Sequence, residues 1–482
     1  MADDEMKETR ANAQQSNSSL TPEQRKAKQA KKRAIKESKK LASIERLSQR
    51  PTTNTYLGEH KWLGGAVDPK TGNIYGIPSH AIEIICISPP AENGDSNKAK
   101  ISTIPLPNRY KEGRFKWLRG IIHDGYLYGI PAWSTHGVLK VRLEPKSRKT
   151  RGPRVKLLPL PKPAESYHAK RNESIQRGKT KYENVDRGRW MWHGGSLQNS
   201  HNGEAIYCIP SNAEHVLKIH IASEMVEEIG PALTQGQNKW YGGIPGKDGC
   251  IYGMPYTATG VLRIDPRTDG VEVLGEFPIG GYKWHGGLLA HSTGIIYGFP
   301  AHANEVLCVD TNFADEQNRI DSSWRVSTIP IQWHSKESDK DTNDRNQPYK
   351  WLGGAYGADG CIYGMPSDAT CILRIDPLKN EATTFGNVSS VKNKWQGGVL
   401  SSVDKCVYAV PADMDNILQI DTDPETELSI NTLGGNFKNV EDKWQGGFMA
   451  KDGRIYAIPE NIDNVMVITP TAEGNADVEI IL

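Results

Sequence analysis

Short apolar runs separated by Gly, Pro and Asp fill the chain from about residue 61 to its end, and this pattern predicts β-strands. Residues 239–274 show it most clearly. Four strands are predicted there: Lys239–Ile244, Cys250–Met254, Val261–Asp265 and Val271–Leu274. Asp248-Gly249 supplies the turn of a tight hairpin, and Pro255 ends the second strand because proline cannot donate to a ladder. The segment therefore predicts a four-stranded antiparallel meander.

The same pattern recurs eight times. Each copy opens on a tryptophan, usually within Lys-Trp-x-Gly-Gly: Trp62, Trp117, Trp192, Trp240, Trp284, Trp351, Trp395 and Trp444. Each second strand carries a tyrosine followed by a proline three residues later, as in Tyr252 and Pro255. Repeats of this length built from antiparallel strands are typical of β-propellers. A stacked β-solenoid fits less well because Asp-Gly hairpins imply antiparallel pairing.

We therefore predict an all-β fold, an eight-bladed β-propeller over residues 51–482, with seven blades as the alternative count. The repeats start near residues 61, 116, 191, 239, 283, 350, 394 and 443. Ring closure has two solutions. Ala476–Leu482 and residues 55–59 are both candidate fourth strands of the last blade, and the sequence does not choose between them.

The order Asp248-Gly249, Ile251-Tyr252 and Ile264-Asp265-Pro266 resembles the blades of virginiamycin B lyase and NHL-type propellers. The Lys-Trp-x-Gly-Gly opening is similar to that of uncharacterised repeat proteins from single-celled eukaryotes. The second copy departs from it, with Arg119 in place of the first glycine. The resemblance covers about nine-tenths of the chain and implies the propeller architecture. It implies no activity, because no local motif matches the catalytic histidine or the magnesium-binding carboxylate of the lyase.

Residues 1–50 are predicted to form a flexible arm with a basic helix over 22–50. Thr21 and Pro22 are typical of a helix start, and residues 21–50 hold eleven bases against three acids. The arm is interpreted as a solvated tail without a fixed partner, or as an import signal or RNA-binding segment that attracts phosphates. Membrane-surface binding is the weakest interpretation, because the apolar face is thin.

Lysine precedes the tryptophan in seven copies: Lys61, Lys116, Lys239, Lys283, Lys350, Lys394 and Lys443. The residue after the tryptophan lies on the same strand face as the lysine, because side chains alternate along a strand. The candidates at this position are His193, His285, Gln396 and Gln445. These eleven residues are our candidate ligand-binding positions around a central channel, and an anion is the ligand that they predict. The structural alternative is that the tryptophans wedge between blades while the lysines reach solvent or pair with carboxylates. No metal, cofactor or catalytic residue is predicted, since the two histidines have no third ligand by spacing.

Composition bears on whether the chain spans a membrane and on the compartment in which it folds. No apolar run is long enough to span a bilayer, and seven cysteines without Cys-x-x-Cys spacing suit a reducing compartment, so we predict a cytoplasmic or nuclear protein. Each cysteine is expected to be a core residue. Two insertions, 146–189 and 312–349, interrupt the repeats and are expected to carry partner contacts or to be disordered excursions.

The sequence favours a non-catalytic binding or scaffold propeller that presents one rim to a protein or anionic partner. The alternatives are a lyase- or hydrolase-type enzyme at the channel mouth and a nucleic-acid-associated protein acting through the arm. A carboxylate beside His193 and His285 would favour the enzyme, and a solvated lysine ring would favour binding.

Overall fold

The computed structural model describes residues 58–90, 98–133, 137–144, 154–161, 190–312, 325–334, 345–435, 437 and 440–481. Blade 1 contains β1 (Trp62–Val67), β2 (Ile74–Pro78), β3 (Glu83–Ser88) and β4 (Lys100–Pro105), and blade 2 contains β5 (Trp117–His123), β6 (Tyr126–Pro131), β7 (Val138–Arg142) and β8 (Val155–Leu158). Blade 3 contains β9 (Trp192–Ser200), β10 (Gly203–Pro210), β11 (Val216–His220) and β12 (Val226–Ile229), and blade 4 contains β13 (Trp240–Pro245), β14 (Ile251–Pro255), β15 (Val261–Asp265) and β16 (Gly270–Leu274).

Blade 5 contains β17 (Trp284–Ala290), β18 (Ile295–Pro300), β19 (Glu305–Asp310) and β20 (Val326–Gln332), and blade 6 contains β21 (Trp351–Tyr356), β22 (Ile362–Pro366), β23 (Ile372–Asp376) and β24 (Glu381–Phe385). Blade 7 contains β25 (Trp395–Leu400), β26 (Cys406–Pro411), β27 (Ile417–Asp421) and β28 (Ser429–Leu433), and blade 8 contains β29 (Trp444–Met449), β30 (Ile455–Pro459), β31 (Val465–Pro470) and β32 (Ala476–Ile481). One turn of 3-10 helix, Asn108–Tyr110, links blades 1 and 2.

Within every blade the four strands pair in chain order, each antiparallel to the next. Blades 5 and 6 are also joined at their outer edges, where β20 and β24 pair in parallel through Ile331 with Ala382 and Gln332 with Thr383. The insertion predicted over residues 312–349 contains β20, which pairs with β19 as the fourth strand of blade 5. The insertion is correspondingly shorter than expected.

One hydrogen bond recurs at every junction between blades. The backbone N–H at the repeat lysine, or at Met191 in blade 3, donates to the carbonyl that follows the repeat proline of the preceding blade. The eight bonds are Lys116 to Ser79, Met191 to Ala132, Lys239 to Ser211, Lys283 to Tyr256, Lys350 to Ala301, Lys394 to Ser367, Lys443 to Ala412 and Lys61 to Glu460. The last of these, 3.2 Å long, joins blade 8 to blade 1. The ring is closed with eight blades, as predicted, and β32 at the carboxyl end is the fourth strand of blade 8.

The eight repeat tryptophans lie in the hydrophobic core between blades. Each indole N–H donates to a backbone carbonyl at the start of the third strand of its own blade, as Trp351 does to Cys371 at 3.0 Å. The ring of Trp351 belongs to a core cluster that also contains Phe299 of blade 5 and Leu373 of blade 6. Each tryptophan is therefore tied to its own blade while it packs against the preceding one. All seven cysteines are free and buried.

The conserved turn chemistry of the repeat has a structural basis that is visible in blade 4. Asp248, in the Asp-Gly turn, accepts the backbone N–H of Cys250 at 3.1 Å and the hydroxyl of Tyr252 at 2.7 Å. Asp359 and Tyr363 repeat the arrangement in blade 6. In these two blades the tyrosine of the repeat is thus a buried side chain whose one polar atom is satisfied by the turn of its own blade.

Candidate functional site

The channel opens at the end of the ring where the chain enters each first strand, and we call this end the upper rim. It is defined by two residues per blade. The first precedes the repeat lysine (Met191 in blade 3) and has a positive φ of 46–56° in every blade: His60, Phe115, Trp190, Asn238, Tyr282, Tyr349, Asn393 and Asp442. The second lies two positions after the repeat proline: His80, Trp133, Asn212, Thr257, His302, Asp368, Asp413 and Asn461.

The two sets of upper-rim residues contact each other across the blade junctions. Where the second residue is an amide or acid, its oxygen accepts the backbone N–H of the first residue in the next blade; Asn461 accepts from His60 at 2.6 Å and Asp413 from Asp442 at 2.8 Å. Where it is aromatic, the rings pack instead, as His302 does on Tyr349 with 4.6 Å between centroids. The backbone conformation at these positions is the same in every blade, and only the side chains differ around the rim.

Aromatic side chains occupy most of the rim over blades 1–6. In the first group Phe115, Trp133 and Trp190 lie 4.6–5.8 Å apart and cover buried Leu63 and Leu118. The second group contains Tyr256, Tyr282, His302 and Tyr349, with 6.3 Å between the stacked rings of Tyr282 and Tyr349. Tyr282 is 36% exposed and Tyr349 is 38% exposed. Large aromatic surfaces of this kind at a rim are what protein interfaces use as anchors.

Blades 6–8 give the rim an acidic arc formed by Asp368, Asp413, Asp442 and Glu460. Among the described residues, the atoms of His60, Asp442 and Glu460 that could ligate a metal all lie within 4.8 Å of one another. His60 Nδ1 already makes a 2.6 Å hydrogen bond to Glu460 Oε1, which raises the pKa of His60, while burial raises the pKa of Glu460. A metal ion would have to displace that bond.

The seven repeat lysines do not line the channel. Their side chains are 0–9% exposed, and their ammonium groups donate to backbone carbonyls of the loops around the blade junctions. Lys239 Nζ lies 2.9 Å from the carbonyl of Ala213 in the preceding blade, and Lys394 Nζ lies 2.9 Å from that of Val391. Burial lowers the pKa of Lys116, Lys239 and Lys283 to about 8. These side chains bind the protein itself, so the expectation of a solvated cationic ring is not met.

The structure brings His193 and His285 to the channel and places Tyr241 between them. The Tyr241 ring centroid lies 3.9 Å from that of His193 and 4.6 Å from that of His285, and the two imidazoles are 6.2 Å apart. Burial, and then the positive charge of Arg119, lowers the pKa of His285 to about 4 and the pKa of His193 as well. Both imidazoles are therefore neutral at pH 7.

Gln396 and Gln445, the other candidates after the tryptophan, lie farther around the ring, in blades 7 and 8. Gln396 Nε2 donates to Asn393 Oδ1 at 2.6 Å, which connects the channel wall to the upper rim. Both glutamines are partly buried. Their blades are not next to blades 3 and 5, which carry His193 and His285, and the two glutamines do not belong to the acidic arc.

Arg119 is the residue that sequence reasoning did not place among the candidates. It has φ +60°, and the other seven blades have glycine at its position, with φ between 71° and 106°: Gly64, Gly194, Gly242, Gly286, Gly353, Gly397 and Gly446. A left-handed conformation costs an L-residue about 1–2 kcal/mol, which glycine avoids. The departure from the repeat was visible in the sequence, but its meaning depends on this backbone conformation.

Each predicted insertion contains the fourth strand of a blade, β8 or β20. Residues 145–153, 162–189, 313–324 and 335–344 lie outside the described residues, and the chain re-enters the upper rim at Trp190 and Tyr349. The amino-terminal arm also lies outside them. In the described part of the chain, no helix is long and apolar enough to cross a membrane.

Comparison with known proteins gives similarity at the level of fold. No protein-family model matches the chain, and no curated protein sequence matches it. A streptogramin B lyase structure is 11% identical, with 89% of this chain and 96% of that chain covered and a TM-score of 0.46. Virginiamycin B lyase from Staphylococcus aureus is 14% identical, with 86% and 96% covered and a TM-score of 0.45. Apo AztD from Citrobacter koseri is 11% identical, with 78% and 87% covered and a TM-score of 0.43. These values carry no activity over to this chain.

Proposed function

We propose that this propeller is a binding protein without chemistry of its own, and that it receives a protein partner across the upper rim. The observation that carries the proposal is the exposed, stacked pair Tyr282 and Tyr349 beside the channel mouth. Tyrosine and tryptophan are the side chains that most often dominate binding energy at protein interfaces, because they bury a large area with few rotatable bonds.

The distribution of charge on the rim supports a partner with a defined orientation. Aromatic groups line blades 1–6, whereas Asp368, Asp413, Asp442 and Glu460 place carboxylates over blades 6–8. A partner that presents apolar groups to one side and basic groups to the other complements this arrangement. The alternative of an anion held by the lysine ring loses its support, because the ammonium groups are buried against backbone carbonyls.

The geometry at the histidines favours binding over hydrolysis or elimination. A general base of the kind found in hydrolases and lyases needs a group that orients it and a suitable pKa. None of the described carboxylates forms a hydrogen bond or an ion pair with His193 or His285, and the pKa of His285 is lowered to about 4. Neutral imidazoles packed against a tyrosine ring act as hydrogen-bonding groups of a binding site.

Affinity purification with matched variants tests the proposal. The full chain is compared with a Tyr282→Ser/Tyr349→Ser double variant and with Leu378→Ser, which removes an 81% exposed apolar side chain from the β23–β24 turn at the opposite end of the ring. Partners that depend on the upper rim should fall at least about tenfold in yield for the double variant and stay unchanged for Leu378→Ser, since an interface anchor is worth about 2 kcal/mol. Equal recovery from all three proteins would contradict the proposal.

A further inference from the structure

Arg119 occupies a position that the repeat reserves for glycine. Seven blades use glycine there because the first strand bulges with a positive φ immediately after the tryptophan, and blade 2 adopts the same conformation with an arginine. The side chain begins beside Gly64 of blade 1, where a Cβ added at Gly64 would lie 3.5 Å from Arg119 Cα. Arginine does not stabilise this backbone conformation as glycine does. We therefore look for the role of Arg119 in its guanidinium.

Arg119 lies on β5, the first strand of blade 2, and β5 packs beside β9, the strand that carries His193. The guanidinium is close enough to His193, Tyr241 and His285 for its charge to act on them. Its charge lowers the pKa of both histidines, and burial lowers its own pKa, yet solvent reaches the side chain. An exposed side chain on the first strand of a propeller blade faces the central channel. Within the described ranges, no carboxylate forms an ion pair with Arg119.

The neighbouring imidazoles leave hydrogen-bonding capacity unused. His193 Nδ1 is buried and has no hydrogen-bond partner in the described part of the chain. The Tyr241 ring lies between His193 and His285, and the Tyr256 ring packs on it at 4.6 Å, so one wall of the site is a pair of aromatic rings. One guanidinium, two neutral imidazoles and an aromatic wall make a site with a single positive charge.

We propose that Arg119, His193 and His285 bind a carboxylate in the channel, with Tyr241 contacting the group that carries it. The fork of a guanidinium matches the two oxygens of a carboxylate, and a single cation balances a monoanion rather than a phosphate dianion. The proposal deepens the proposed binding function, on which it rests, by naming the group that a partner brings into the channel mouth. The shared chemistry is a carboxylate, supplied either by the partner protein or by a small organic acid.

Isothermal titration calorimetry of the full chain with benzoate, acetate and inorganic phosphate at pH 7 tests the site. Benzoate should bind with a Kd of about 1 mM or below, and more tightly than phosphate. Arg119→Gly restores the residue used by the other blades and should weaken benzoate binding at least about tenfold, while Arg119→Lys should retain part of it. Arg267→Ala is the matched control, because Arg267 is 57% exposed and pairs with Asp265. It should leave the affinity unchanged.

Absence of saturable benzoate binding, equal binding by Arg119→Gly, or tighter binding of phosphate would overturn the assignment. Excess benzoate in the affinity purification separates the two sources. Displacement of the captured protein supports a carboxylate of the partner, and benzoate binding without displacement supports a free acid; both outcomes support the site. If benzoate binding requires Arg119 but the yield of captured protein is the same for the Tyr282→Ser/Tyr349→Ser variant, the carboxylate site is supported and the proposal of a partner at the upper rim fails.

Discussion

Replacing Arg119 by glycine should make the propeller more stable. At φ +60° the arginine carries a conformational cost of about 1–2 kcal/mol, which glycine does not. Glycine has a more flexible unfolded chain, which costs about 0.4–1 kcal/mol in return. The net gain in the free energy of unfolding is therefore between about 0 and about 1.6 kcal/mol. Removal of a guanidinium whose pKa is lowered by burial acts in the same direction.

Urea denaturation followed by tryptophan fluorescence measures this change, since the repeat tryptophans are buried. Gly397→Ala is the converse control. Gly397 has φ +73°, and an added Cβ would meet no atom within 4 Å, so this variant isolates the conformational cost without a steric clash. It should lower stability by about 0.5–1 kcal/mol. If Arg119→Gly proved less stable than the natural chain by about 1 kcal/mol while Gly397→Ala behaved as expected, Arg119 would be a structural residue and the reasoning would fail.

Four further predictions concern other parts of the chain. Trp395→Phe removes the 2.9 Å bond to the Asn416 carbonyl and should cost about 1–3 kcal/mol in urea denaturation; a change below about 0.5 kcal/mol would refute the anchoring role. Lys239→Met removes the ammonium group that donates to the buried carbonyl of Ala213 and should cost a similar amount, whereas exposed Lys379→Met should stay within about 0.5 kcal/mol. Equal effects would contradict the role of the buried ammonium groups. The free energy of unfolding should fall as the pH drops from 6.5 towards 4, because the folded-state pKa of His285 is lowered to about 4 and the unfolded chain takes up the proton first. His285→Gln should flatten this part of the pH profile. An unchanged slope would exclude His285 as its cause. Deletion of residues 1–50 should abolish any salt-sensitive RNA affinity in a filter-binding assay and leave the urea midpoint unchanged, and RNA binding that survives the deletion would rule out the arm.

The fold was predictable because its determinants are local and repeated. Trp351, Asp359 and Tyr363 make their hydrogen bonds within their own blade, so each copy of the motif contains the information for one blade. The number of copies then gives the number of blades. A single repeat would have given four strands and no ring, because the surfaces that these strands bury belong to neighbouring blades.

The site was less predictable because its contacts connect distant parts of the sequence. Lys61 Nζ donates to the carbonyl of Ile462, a contact between the first and last blades that no local pattern indicates. A lysine before a tryptophan looks the same in sequence whether its ammonium group is solvated or buried. His193 and His285 were identified because they share a strand face, whereas Arg119 could have been found from its departure from glycine alone.

The upper-rim positions can be located from the repeat, but their residue types follow no common pattern. The residue before the repeat lysine is His60 in one blade and Tyr349 in another, and the positive φ shows that both have the same backbone conformation. Positions at which the backbone is fixed and the side chain varies are those at which a repeat protein acquires its specificity.

The junction between blades 8 and 1 uses the same backbone bond as the seven others, and the four strands described in each blade are consecutive in the chain. The starting point of the polypeptide is therefore arbitrary with respect to the ring. Circular permutants whose new termini lie at another blade junction, with residues 58 and 481 joined by a linker, are expected to form the same ring of blades. Such permutants would move the chain termini to any chosen sector of the ring, while the channel and its arginine stay where they are.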